Sequence, residues 1–174
     1  MGKFARSPFP ISDNRATGIL DLIHANVSGQ MSHLYLSGYG YYVLFIYDHS
    51  RKTWIYFLKT KSEVFKRFQG FKALMETQIG RKSKILRSDN GGEYTFGEFF
   101  DVCVEAGIRR EFTVPYNPQE NGVAKRKNRS IVSATKAMLH DQGLPLFLWA
   151  EACDTVVYLQ NRSPHRALGN VTSD

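Results

Sequence analysis

The feature that most constrains this chain is a short apolar run, Lys84-Ile85-Leu86-Arg87, set between two helical patterns and leading into Asp89. Three strand candidates precede it: Gly18 to Val27, Gly38 to Tyr47, and Thr53 to Leu58. The second and third are rich in aromatic and β-branched residues and flank the turn Asp48-His49-Ser50-Arg51-Lys52, a pattern that predicts a meander. Between the meander and Lys84 lies a helix. Thr60-Lys61-Ser62-Glu63 has capping-box form, and Val64, Phe68, Phe71, Met75 and Ile79 recur at helical spacing with Phe65 and Leu74 alongside. Gly80 stops that helix. A strand that arrives after such a helix enters the sheet by a crossover, which commits the chain to a mixed sheet covered by helices.

The rest of the chain extends the pattern. A helix is predicted from Phe96 to Ala106 with Gly107 past its end, then a fifth strand from Ile108 to Val114. Asn121 can cap a long helix through about His140, with Ile131, Thr135, Met138 and Leu139 on one stripe. Pro145 starts a last helix through Asn161 that buries Trp149, Cys153, Val156 and Val157. The predicted class is α/β: a five-stranded mixed sheet, a three-stranded meander plus two further strands, flanked by helices. Residues 1–17 read as a linker or tail, 18–165 as the domain and 166–174 as a C-terminal tail.

At 174 residues the chain suits one domain, and 43% apolar with 13% aromatic residues excludes a disordered one. No apolar run reaches the length of a membrane span, so no membrane partner is expected. A net charge of +7 favours polyanionic partners. Cys103 and Cys153 lie in apolar-periodic segments and read as reduced core thiols of an intracellular protein, nuclear or cytoplasmic. The histidines His24, His33, His49, His140 and His165 are scattered, and no zinc site is indicated.

Two motifs carry more. Leu86-Arg87-Ser88-Asp89-Asn90-Gly91-Gly92-Glu93-Tyr94 and the helix start Pro115-Tyr116-Asn117-Pro118-Gln119 followed by Asn121-Gly122-Val123-Ala124 resemble the integrase catalytic core of copia-type LTR retrotransposons. Ser50-Arg51-Lys52-Thr53-Trp54, Arg126-Lys127-Asn128-Arg129, Trp149-Ala150-Glu151-Ala152 and Asn161-Arg162-Ser163-Pro164 support the resemblance, which covers roughly residues 8–168. It implies a ribonuclease H-like fold. It also implies an Asp-Asp-Glu triad that holds two divalent metals for DNA strand transfer. The family's upstream zinc module and its downstream continuation are not part of this sequence.

The resemblance places the triad at Asn26, Asp89 and Lys125, with thirty-five residues between the last two. Only Asp89 is retained. A neutral amide cannot bridge two cations, and an ammonium has donors but no acceptor. The expectation is therefore a degenerate, catalytically inactive core with no metal site and no resident cofactor. Mg2+ or Mn2+ would enter only with residual activity at Asp89. We further expect Lys125 to take the place of a cation and pair with Asp89. Tyr47 is another departure, since the family commonly has aspartate there.

What such a core would retain is binding. Lys125, Arg126, Lys127 and Arg129, with Lys136 further on and Asn117 and Asn121 in the preceding loop, are the nucleic-acid-binding candidates, with DNA as the expected partner. Two alternatives stand beside this reading of a domesticated element. One is an active integrase or nuclease fragment that uses Asp89 with a substitute acid drawn from Glu93, Glu120, Asp21 or Asp48. The other is a protein-interaction module, either a homodimer through the Trp54–Phe71 and Pro145–Val157 regions or a binder of a host protein.

Overall fold

Alternation along one strand organises the molecule. The computed structural model describes residues 15–89, 91–95, 97–112, 122–164 and 168–173. Within β2 (Tyr41–Tyr47), Val43, Phe45 and Tyr47 point to one face of the sheet and Tyr42, Leu44 and Ile46 to the other, and all six are buried. A strand buried on both sides needs a helical layer on each. Here α1 (Val64–Ile79) and α3 (Gly97–Glu105) cover the first face, while α4 (Gly122–Asp141) and α5 (Trp149–Arg162) cover the second. A single turn, α2 (Gly92–Thr95), precedes α3.

The sheet order is β3-β2-β1-β4-β5, with β1 at Ile23–Gly29, β3 at Thr53–Leu58, β4 at Ile85–Ser88 and β5 at Arg109–Phe112. The β1–β2 and β2–β3 pairs are antiparallel, whereas β1–β4 and β4–β5 are parallel. The expected meander and helical crossover are both present. The capping box at Thr60 forms as a short 3-10 turn, and Gly80 ends α1 in the left-handed conformation (φ 68°) that glycine adopts without a Cβ penalty.

Several boundaries differ from the sequence reading. The first strand begins at Ile23, not Gly18, because Asp21 N closes a turn on Gly18 O and Thr17 Oγ1 donates to Asp21 Oδ2. The second begins at Tyr41, since Gly38 sits at φ 79° in a turn closed by its amide on Tyr35 O. The helix expected over Phe96 to Ala106 is α3, Gly97–Glu105, and the separate turn α2 before it was not expected. The Asn121 cap and the end of the fifth strand at Val114 lie outside the described residues. The last helix is as expected, and its Asn161 side chain both accepts from Thr53 N (3.0 Å) and donates to Thr53 O (2.8 Å), stapling α5 to the start of β3. Arg15, Ala16 and Ser173 also dock on the domain: Ala16 N reaches Asp48 Oδ2 at 2.8 Å, and Ser173 N reaches Asn161 O.

The first core is aromatic. Phe71 is almost fully buried and touches Phe45, Tyr47, Trp54 and Tyr56, with its ring centroid 4.6 Å from that of Phe45. Tyr47 belongs to this core, which explains structurally why an aromatic residue is stable at that position. Phe71→Ala is expected to cost about 3–5 kcal/mol in urea unfolding, through lost burial and the cavity left behind. A loss under about 1 kcal/mol would mean that α1 is not anchored by this cluster.

Candidate functional site

Cross-strand register decides which side chains of β1 meet. His24, Asn26 and Ser28 lie opposite Ile46, Leu44 and Tyr42, so all three face the layer of α4 and α5. The parallel register pairs Ile23 with Leu86 and His24 with Arg87; Asn26 lies two residues past the last pair on β1, and Asp89 two residues past it on the β4 side. Asn26 is buried and Asp89 half-buried. Tyr42 OH donates to Asn128 Oδ1 (2.6 Å), and Asn128 Nδ2 reaches Ser28 Oγ at 3.5 Å, which fixes α4 over this end of β1. Lys125 lies one turn before Asn128. Asn26 and Asp89 thus follow the same end of the parallel pairing, and Lys125 lies on α4, the helix packed against β1.

The expected Lys125–Asp89 pair does not form. Among the described residues Lys125 makes no ion pair, and its side chain is exposed. Asp89 Oδ1 instead accepts from Gly91 N at 3.3 Å, closing the turn after β4. Holding a long exposed lysine against one carboxylate would cost side-chain entropy for little Coulombic gain in water.

The donor set does not suit a pair of divalent cations. Asn26 Nδ2 donates to Val27 O, which leaves one neutral oxygen; Asp89 offers the one carboxylate; Lys125 offers a positive charge. The acids that could substitute are engaged elsewhere. Glu93 lies 4.0 Å from Lys61, and Asp21 accepts from Lys84 (2.6 Å). Asp21 also lies in the turn before β1, where Thr17 Oγ1 donates to it. Glu120 is outside the described residues, as are Asn117 and Asn121. Among the described residues no three His, Cys, Asp or Glu side chains cluster as metal ligands.

Asp48, the remaining candidate, is the hub of a buried network that sequence reading missed. Its Oδ1 accepts from His24 Nε2 and Arg51 Nη1, each at 2.8 Å, and its Oδ2 accepts from Ala16 N. Burial pushes the Asp48 carboxyl up. The hydrogen bonds from His24 and Ala16 and the Arg51 charge outweigh it and hold the group well below the usual carboxylate range. Burial in turn lowers the pKa of His24 despite Asp48, so the imidazole is neutral with its proton on Nε2. The i, i+3 spacing of Asp48 and Arg51 is visible in the sequence, but only the β1–β2 register brings His24 to them.

The basic residues of α4 divide between two faces. At about 100° per residue, Lys125, Arg129 and Lys136 share an exposed stripe. Arg126 and Lys127 instead turn toward a cleft shared with Arg51. Burial, and then the neighbouring Arg51 charge, pull the Lys127 ammonium down to about 8.

The chain is 52% identical over 163 residues to the retrovirus-related Pol polyprotein from transposon TNT 1-94 of Nicotiana tabacum; the match covers 94% of this chain and 12% of that polyprotein. No family model matches. Among solved structures, the simian T-cell lymphotropic virus intasome in complex with PP2A regulatory subunit B56 gamma contains a chain that superposes with a TM-score of 0.64, at 20% identity over 84% of this chain and 50% of that one. The HTLV-2 integrase catalytic core domain in complex with magnesium (dimeric form) superposes with a TM-score of 0.60, at 19% identity over 85% of this chain and 90% of that one. The fold is that of retroviral integrase catalytic cores, the ribonuclease H-like arrangement the motifs imply. No helix among the described residues is long and apolar enough to cross a membrane.

A carboxylate held low in the folded state stabilises it above the unfolded pKa of about 3.9, and that stabilisation is lost as pH falls toward the folded value. Asp48→Asn is therefore expected to cost about 2–4 kcal/mol at pH 7, measured by urea unfolding, because it strips a charge from His24 and Arg51. The gap between the variant and the unaltered protein should narrow below pH about 4. A gap of the same size at pH 3 and pH 7 would refute the network's role.

Proposed function

We propose that this chain, an integrase-core-like region homologous to retrovirus-related Pol polyproteins of plant transposons, binds nucleic acid and does not join DNA strands. The observation that carries the reading is the charge at three positions under and on α4. Asn26, Asp89 and Lys125 together sum to about zero, where two cations a few ångströms apart call for several anionic oxygens. The HTLV-2 core is a complex with magnesium; the donors here suit no such pair. Two-metal strand transfer depends on one ion activating the nucleophile and the other stabilising the leaving oxygen. Without the ligands to hold them, neither role is filled, and Asp89 serves to close the turn on Gly91.

Binding needs none of that chemistry. The exposed stripe of Lys125, Arg129 and Lys136 spans about three turns of α4 and can meet successive backbone phosphates without reading bases. Replacing glutamate by lysine at position 125 would then serve binding, adding a phosphate contact where a carboxylate would repel one. The region is read as nuclear or cytoplasmic in keeping with a nucleic-acid partner.

Fluorescence anisotropy with a labelled DNA duplex tests the binding reading. Affinity should fall linearly in log–log form with salt, and the double variant Lys125→Gln, Arg129→Gln should reduce that slope by about two. An unchanged slope would remove α4 from the interface. For the chemistry, an assay of strand transfer and nicking in Mg2+ or Mn2+ compares the chain with Asn26→Asp, Lys125→Glu. Metal-dependent product from the unaltered chain would overturn the reading, and its absence is the expected result.

A further inference from the structure

Between α4, the end of α5 and the β2–β3 turn lies a cleft of about 470 Å³ whose lining includes none of Asn26, Asp89 and Lys125. Arg51, Arg126 and Lys127 line it, together with Ser130, Gln160 and Ser163. None of the lining residues is acidic. We propose that this cleft is a phosphate-binding site, built by three cations from two elements and separate from the triad positions.

The geometry supports a built site over a solvated basic face. Lys127 is half-buried where an exposed lysine would extend into water, and it sits close enough to Arg51 for the two charges to repel. Arg51 is itself in the left-handed conformation (φ 59°), uncommon for a residue with a side chain, and this backbone carries it toward Asp48 at the cleft's edge. Asp48 offsets the charge of Arg51 through their 2.8 Å ion pair, and Arg126 and Lys127 have no such partner among the described residues. The Arg126 guanidinium folds back over the first turn of α4: a Cβ added at Gly122 would lie 2.8 Å from its Nη1. That end of the helix is already the positive end of its dipole. Converging like charges are costly unless an anion sits among them.

The lining chemistry favours phosphate over a lone carboxylate. Two guanidiniums and an ammonium match a dianion with several acceptor oxygens. Ser130 Oγ accepts from Gln160 Nε2 (3.1 Å) across the gap between the helices, which leaves its hydroxyl proton free to donate. The volume is that of a ligand pocket, larger than a single ion needs, so it admits a diphosphate or two neighbouring phosphates of a strand. The proposal rests on the nucleic-acid reading only for which molecule carries the phosphate.

Calorimetric titration with inorganic pyrophosphate at pH 7 tests the site itself. Binding is expected, weakened about tenfold by Arg126→Gln and by Lys127→Met, and changed less than about twofold by Lys66→Gln at the exposed surface of α1. No binding, or equal weakening by all three, would overturn the proposal in favour of a diffuse positive surface. Lys127→Met removes a half-buried charge and should melt no lower than the unaltered protein; should it fail to fold, the exposed Arg126 carries the test. Competition then separates the carriers. Displacement of a short single-stranded oligonucleotide by pyrophosphate assigns the site to a nucleic-acid backbone, whereas independent binding assigns it to a free polyphosphate. Because the slope measurement on Lys125 and Arg129 reports the other flank, failure of the nucleic-acid reading and failure of the cleft are told apart.

Discussion

Everything in this molecule hangs on β1, which pairs antiparallel with β2 on one edge and parallel with β4 on the other. Its first four residues are buried, and alternation sends each to one core or the other. Ile23 and Ala25 go to the aromatic core under α1, and His24, Asn26 and Ser28 go beneath the second helical layer. Polar residues placed there find local partners: His24 Nε2 on Asp48, Ser28 Oγ on Asn128, and Asn26 Nδ2 on its neighbouring carbonyl, while His24 Nδ1 is left without one among the described residues. The parallel pairing also delivers Asp89 to the one point where the sheet surface opens toward α4.

Charge is distributed unevenly around that strand. Asp48 is held by three partners and ties β1, the β2–β3 turn and residues 15–16 into one unit. The triad positions hold no such concentration of negative charge. On α4 the positive charges divide between an outward stripe and an inward cleft. In the reading proposed here, a scaffold once organised to gather cations now presents phosphate-binding groups on both flanks of the same helix.

Much of this was legible in the sequence, and the reasons are particular. The third strand, Thr53–Leu58, falls where alternation and flanking turn residues put it, and Gly80 marks the end of α1 through a backbone conformation few other residues tolerate. The positions of Asn26, Asp89 and Lys125 came from motif resemblance, and the parallel register puts the first two at the same offset past the paired residues of β1 and β4. Two things were not legible. The Asp48 network joins residues 24 positions apart through antiparallel pairing, which local pattern does not encode. The division of the basic run depends on how α4 is rotated against β1 and β2, fixed by Tyr42 and Asn128, contacts that periodicity alone does not reveal. The Lys125–Asp89 pair was an error of another kind: opposite charges near one another in sequence logic do not pair when both are wet.

The claim at the centre is that the three positions beside β1 cannot hold two divalent ions. Anomalous diffraction from crystals soaked in Mn2+ measures that directly, since each bound ion gives its own peak. The account predicts no pair of peaks at Asp89. Two manganese ions about 3.5–4 Å apart, bridged by the Asp89 carboxylate, would contradict it.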